Sequence, residues 1–304
     1  MSSPPSVAPG PETGEAIVDW YAGAARDLPW RRPGVDAWAV LVSEVMLQQT
    51  PVARVEPVWR EWLDRWPTPA DLAAVSPAEA IRAWGKLGYP RRALRLREAA
   101  LAIVERHSGV VPDDVATLEA LPGVGTYTAR AVACFGYGQP QPVVDTNVRR
   151  VVARLVHGRA EAGNARAADL ADIVALAPVD PARATRFSVA AMELGALVCV
   201  AGTPRCGACP VRDRCAWVLA GSPAHDGPPR RVQKFAGTDR QVRGRLLDVL
   251  RAAHAPVPAV ELDAVWDDAV QRSRCLDSLL SDGLVEQTPA GLFTLPTGDV
   301  DQVS

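Results

Sequence analysis

From about Glu15 to Ala220 the apolar residues recur at helical spacing, and turn signals such as Trp66-Pro-Thr-Pro69 and Ser76-Pro77 break them into short segments. No alternating strand pattern occurs there, so the region reads as one mainly α domain of many short helices. Ser76-Pro-Ala-Glu79 predicts a capping-box start for a helix through Trp84, and Val111-Pro-Asp-Asp-Val115 a similar turn into a helix. Residues 221–238 are rich in Gly, Pro and Ser and read as a linker. After it, Gln241–Ala253, Ala259–Trp266 and Ala269–Ser281 read as helices, and Gly283–Leu295 as a β-hairpin around Pro-Ala-Gly. Three helices and a hairpin suggest a small winged-helix-like α+β module over 239–304.

Composition narrows the class. Residues 1–14 have neither a basic nor an apolar signal segment and read as a disordered leader. No apolar run is long enough to span a bilayer. The expectation is a soluble cytoplasmic chain. With 304 residues, 48% hydrophobic, the chain can form two modest domains, and its net charge of −2 does not advertise a nucleic-acid binder. Two basic runs, Lys86/Arg91/Arg92/Arg95/Arg97 and Arg149/Arg150/Arg154, could serve DNA or could be solvated helix faces.

Specific chemistry begins at Leu121-Pro-Gly-Val-Gly-Thr-Tyr-Thr-Ala129. Gly123 and Gly125 permit a tight turn and close backbone approach, and the helix starting near Thr126 would aim unpaired N–H groups outward, a cradle for phosphate. Asp145 follows in Val-Val-Asp-Thr-Asn-Val148. It is either a reactive carboxylate or the N-cap of a helix Val148–Leu155; capping by Asn147 would leave it free.

A second carboxyl, Glu44, has Val40, Leu41 and Leu47 as helical neighbours, with Gln48 the one polar residue among them. Desolvation would keep it protonated and able to act as a general acid, unless it is a buried glutamate bonded to a helix end.

Cys199, Cys206, Cys209 and Cys215 give C-x6-C-x2-C-x5-C. Zinc or a [4Fe–4S] cluster suits four thiolates, and a single close pair bracketed by longer loops favours the cluster. Cys134 and Cys275 lie in apolar stretches and read as buried.

Taken with Leu28-Pro-Trp-Arg31, Ser43-Glu-Val-Met-Leu-Gln-Gln-Thr50, Gly85-Lys-Leu-Gly-Tyr89 and Met192-Glu-Leu-Gly-Ala196, these motifs resemble the helix-hairpin-helix DNA glycosylases of the endonuclease III superfamily, within it the MutY-type adenine glycosylases. The resemblance covers roughly residues 20–220. It implies a helix-hairpin-helix glycosylase fold with one [4Fe–4S] cluster on the four cysteines. The substrate would be double-stranded DNA containing adenine opposite 8-oxoguanine or guanine. Glu44 would protonate N7 of a flipped adenine, and Asp145, supported by Tyr127 and Asn147, would stabilise the cation at C1′. Gln49 would fill the gap in the duplex, with Thr50 beside the partner purine and Tyr89 stacked on it. Gly123, Gly125 and Arg31 would contact DNA. Bifunctional members carry a lysine just after the hairpin glycines; here Tyr127 stands there, and a phenol of pKa about 10 cannot form an imine, so lyase activity should be slight or absent.

The C-terminal residues lack the acidic signature of the Nudix-like domain that many adenine glycosylases carry. A base-excision enzyme that is monomeric and nucleoid-associated is expected. The alternatives are a mismatch thymine or uracil glycosylase of the same superfamily and a non-catalytic iron–sulfur DNA-binding regulator.

Overall fold

The computed structural model describes residues 9–225, 227 and 235–298; most of the expected leader (1–8), part of the expected linker (226 and 228–234) and residues 299–304 lie outside the described residues. The chain is mainly helical. First come α1 (Pro11–Ala24), α2 (Ala37–Leu47), α3 (Val52–Arg65), α4 (Pro69–Ala73), α5 (Pro77–Trp84) and α6 (Arg91–His107). Next are α7 (Val115–Glu119), α8 (Thr126–Tyr137), α9 (Thr146–Leu155), α10 (Ala168–Leu176), α11 (Pro181–Leu197) and α12 (Ala216–Leu219). The C-terminal part contains α13 (Asp239–Ala252), α14 (Ala259–Asp263), α15 (Ala269–Ser281) and an antiparallel pair, β1 (Glu286–Gln287) and β2 (Phe293–Thr294). No described helix is long and apolar enough to cross a membrane.

Two compact units share the chain: residues 1–41, 113–119 and 125–229 form the first, and 42–112, 120–124 and 230–304 the second. In the first, α1, α9, α10 and α11 meet over Ile17, Val18, Val148, Val152, Ile173, Phe187 and Leu194. Each such side chain contributes roughly 1.5–3 kcal/mol on burial. Proline opens α1 and α11, and the Asp180 carboxylate caps α11 through the Arg183 N–H.

The second unit is built around tryptophans. Trp62 meets Trp66 and Trp84 edge-on, with ring centroids 4.8 and 5.4 Å apart. Its indole N–H donates to the Ala83 carbonyl and that of Trp84 to the Gly88 carbonyl. Ser76 caps α5 by accepting the Glu79 N–H, but the Glu79 carboxylate turns to Arg65 rather than closing the box. The box predicted there is complete one helix earlier, between Thr68 and Asp71.

The C-terminal elements follow the sequence reading, with α14 ending three residues short of Trp266, whose indole donates to Gln271. They also share a core with α5: Ala78 and Ile81 pack with Val242, Leu246, Leu250 and Leu279. The module is thereby part of the second unit, despite the linker-like stretch that precedes it.

Candidate active site

In the first unit the site forms at the start of α9. Asp145 has extended backbone (φ −91°, ψ −175°), which turns its Oδ1 onto the Val148 N–H at 2.7 Å. Asp145 is thus the N-cap. Asn147 does not cap; it sits inside the first turn and donates from Nδ2 to Asp145 Oδ2 at 2.7 Å. Capping by Asn147, which would have left Asp145 free, gives way to this arrangement because the extended backbone at 145 brings its own oxygen onto the N3 amide. The Asp145 carboxyl is raised above the ordinary aspartate range by burial, opposed by the hydrogen bonds from Val148 and Asn147 and by nearby Arg150. Arg150 reaches Asn147 Oδ1 at 2.8 Å, the Gly195 carbonyl at 2.6 Å and the Cys199 carbonyl at 2.7 Å. Helix α11 comes so close that a Cβ at Gly195 would stand 2.7 Å from Asn147 Cβ.

Tyr127, in the first turn of α8, is half-buried and packs against Ala131, Cys134 and Val143. Arg31 is otherwise engaged: its Nη1 lies 2.7 Å from Oε2 of the fully buried Glu193, which Arg26 grips through its Nε (2.7 Å) and Nη2 (2.8 Å). The two guanidiniums outweigh burial and hold the Glu193 carboxyl down at about 2. Arg31, expected to touch DNA, thus has one guanidinium nitrogen committed to Glu193.

The four cysteines of the loop feel one another. Burial, and then the neighbouring Cys199, Cys215 and Cys206, push the Cys209 thiol up to about 11. Cys209 and Cys215 are anchored by short turns, and the Arg154 guanidinium donates to Cys199 Sγ at 3.4 Å. Among the described residues no three metal-ligating side chains close on a single ion. Zinc, at about 2.3 Å from each sulfur, would draw four sulfurs to roughly 3.8 Å from one another. Four cysteines held in one loop offer one thiolate each to a metal centre, zinc or an iron–sulfur core.

In the second unit Glu44 is 6% exposed and Ser43 1%, so Glu44 is buried as the sequence reading expects. Beyond it α2 ends in a tight turn. Gln49 is exposed with φ +57°, a left-handed backbone unusual for a residue with a side chain. Thr50 is buried, its hydroxyl 3.3 Å from the Leu87 carbonyl. Tyr89 is 43% exposed and also left-handed, at φ +49°.

Arg92 ties these two strained segments together. Its Nη1 donates to the carbonyls of Val45 (2.8 Å), Met46 (3.0 Å) and Gln48 (2.7 Å), and its Nη2 to Thr50 Oγ1 and the Gly88 carbonyl, both at 3.0 Å. Burial lowers the guanidinium pKa to about 10, and its plane lies over Trp84 and Tyr89.

The two glycines of the hairpin differ. Gly123 has φ +74°, and a Cβ there would stand 2.7 Å from Arg95 Cβ. Gly125 has φ −99°, caps α8 through its backbone, and would meet nothing within 4 Å. The conformational argument therefore holds for Gly123 alone, while Gly125 leaves open space before the first N–H groups of α8.

The two basic runs are mixed: Arg92, Arg97, Arg150 and Arg154 turn inward, whereas Lys86, Arg91 and Arg95 are exposed. Arg149 pairs with Asp169 at 2.8 Å, Arg154 is 5% exposed, Arg91 pairs with Asp282 at 3.1 Å and Arg97 donates to the Val75 carbonyl. What the sequence reading missed is the inward role of Arg92, Arg150, Arg26 and Glu193; only the alternation of arginines with apolar residues in α6 and α9 hinted that some must turn inward.

A model of the HhH-GPD superfamily of base excision DNA repair proteins matches residues 42–174. A solved thermostable thymine-DNA glycosylase superposes with a TM-score of 0.61 at 25% identity, covering 68% of this chain and 95% of its own. Hairpin, fold and family model together define a helix-hairpin-helix base excision repair glycosylase. The curated thymine/uracil-DNA glycosylase of Pyrobaculum aerophilum is 36% identical over 65% of this chain and 87% of its own. The adenine DNA glycosylase of Mycobacterium tuberculosis is 62% identical over 282 residues, 92% of each chain. The chain belongs to the adenine DNA glycosylase family.

Proposed function

We propose that the chain excises adenine paired with 8-oxoguanine or guanine in double-stranded DNA, by hydrolysis of the N-glycosidic bond and without efficient strand cleavage. The single observation that carries this reading is the setting of its two carboxyls. Glu44 is 6% exposed within the largely aliphatic α2, and Asp145 accepts hydrogen bonds on both oxygens, from Val148 and Asn147. In such a pair Glu44 would be the acid and Asp145, held by those donors, the anion.

In this reading Glu44 gives its proton to N7 of the extruded adenine. The C1′–N9 bond then breaks, its electron pair leaving with the base, and the Asp145 carboxylate offsets the positive charge spread over C1′ and the ring oxygen. Water adds its oxygen to C1′, and its spare proton returns to Glu44. Tyr127 supports the sugar but cannot form an imine with it. Gln49 and Tyr89 are the wedge and the stacking surface. Cys199, Cys206, Cys209 and Cys215 would hold the [4Fe–4S] cluster, which with its four thiolates would supply a rigid anionic anchor for the basic loop around them.

The test is incubation of the purified protein with duplexes bearing A opposite 8-oxoguanine, A opposite G and T opposite G, followed by alkali. Cleavage confined to the A strand is expected. Cleavage of the T strand alone would assign the protein to the thymine branch, and inertness toward all three would make it a binding protein. Anaerobic protein should be brown with about four irons per chain; a colourless protein with stoichiometric zinc would exclude the cluster.

A further inference from the structure

The Tyr89 ring has two guanidiniums on it. One, Arg92, lies 5.5 Å from the ring centroid and is committed to the carbonyls around it. The other, Arg240, stands 5.3 Å away on the first turn of α13, at the exposed surface. An exposed tyrosine held in a left-handed backbone, with an arginine fork from a different element at its ring, resembles the platforms on which proteins receive an unstacked nucleotide.

The position of Arg240 is not incidental, because α13 is fastened to the segment that carries Tyr89. Arg251 Nε donates to the Ile81 carbonyl at 3.3 Å, and Arg82 Nη2 to the Ala253 carbonyl at 3.2 Å. Arg91 pairs with Asp282 at 3.1 Å, while Ile81 packs into the core of Leu246 and Leu250. Three of these ties hold α13, and the fourth the end of α15, to the segments on either side of Tyr89.

We propose that the C-terminal module reads the strand opposite the excised adenine, with Arg240 as its contacting residue. This rests on the reading of Tyr89 as the surface that meets the partner purine. A guanidinium has donors only, so it selects acceptor oxygens. Beside a purine stacked on Tyr89 these are the base carbonyls, including the extra one at C8 of 8-oxoguanine, or the oxygens of that nucleotide's phosphate. The module would then perform part of the work for which other adenine glycosylases carry a Nudix-like domain.

The experiment is an equilibrium-binding titration on the full chain in a Glu44→Gln background, which keeps the substrate intact. It compares Arg240→Ala and Arg240→Lys with the parent on duplexes holding A opposite 8-oxoguanine and A opposite G, over a range of salt. Arg240→Ala should weaken binding about tenfold, or ~1.4 kcal/mol, with lysine recovering only part because it lacks the planar fork. Loss confined to the 8-oxoguanine duplex assigns the contact to the base. Equal loss on both, with the salt slope reduced by about one, assigns it to the phosphate. Kd values within twofold of the parent on both duplexes would overturn the proposal, and if the melting temperature fell at the same time Arg240 would be only a latch holding α13 to Tyr89. A wild-type protein that failed to excise adenine at all would instead defeat the reading of the site itself.

Discussion

Asn147 donates its side-chain amide to Oδ2 of Asp145 while the Val148 N–H occupies Oδ1, so the carboxylate is locked in place by its own helix. In the proposed reading, helix capping and catalysis draw on the same group. An anion at a helix N-terminus is favoured by the dipole, yet burial still raises the Asp145 pKa. Burial therefore opposes ionisation of this carboxyl, and the hydrogen bonds from Val148 and Asn147 favour it.

Asp145→Asn should separate the two roles. Asparagine still accepts the Val148 N–H, so the cap survives, while excision should fall by about 10²–10³-fold for want of the anion. Because the folded-state pKa is raised, wild-type stability from this group is fully present below the ordinary aspartate pKa and is lost as pH rises through the raised value. The variant also loses the bond from Asn147 Nδ2, which would face a second amide NH2, so it starts lower at acid pH and should gain on wild type toward neutrality. Melting curves across pH check this; a gap that widened against the variant as pH rose to neutrality would contradict it.

Glu44→Gln keeps the volume of a side chain that is 6% exposed and removes its proton donor. Single-turnover excision should drop by about 10²–10⁴-fold, with duplex binding changed less than a few-fold. Wild-type turnover in this variant would end the assignment of Glu44 as the acid.

The hairpin glycines should respond in opposite ways to alanine. Gly123→Ala meets Arg95 Cβ at 2.7 Å and a φ of +74°, so it should cost about 1–3 kcal/mol of stability. Gly125→Ala meets nothing within 4 Å and should leave melting unchanged. If phosphate approaches the N–H groups of α8, the new methyl group lies in its path, and binding should weaken with the fold intact. Calorimetry alongside a binding isotherm distinguishes them.

Glu193 is the acid-sensitive joint of the first unit. Its pKa is lowered from 4.5 to about 2, so the stability it contributes is present above 4.5 and is lost as pH falls through about 2. Glu193→Gln leaves Arg26 and Arg31 without their counter-charge and should cost roughly 3 kcal/mol or more. Denaturant unfolding at pH 7 should show this loss, and the gap from wild type should shrink on acidification.

Much of this was legible in the chain because the chemistry needs rare local patterns. Val124 between two glycines, Asp145 two residues before Asn147, Glu44 among aliphatics and the spacing of four cysteines are each informative without tertiary structure. The arginines were not. Arg92 and Arg150 look like solvated charges in sequence, since what draws them inward is carbonyls 44–47 and 45–49 residues away, at helix ends whose meeting no local pattern encodes. The C-terminal module was legible as helices and a hairpin, but the Gly/Pro-rich stretch before it gave no sign that Ile81 would enter its core. The same contact carries Arg240 to Tyr89, which is why that pair was invisible in the sequence.

Gly195 gives the molecule an unusual vulnerability. Helical propensity rates alanine above glycine within a helix by about 1 kcal/mol, so Gly195→Ala looks like an improvement to α11. Yet the added methyl would arrive 2.7 Å from Asn147 Cβ and 2.9 Å from its carbonyl oxygen. Either α11 or the first turn of α9 must give way, and in the second case the variant keeps its helices while the Asn147–Asp145 hydrogen bond loses its geometry.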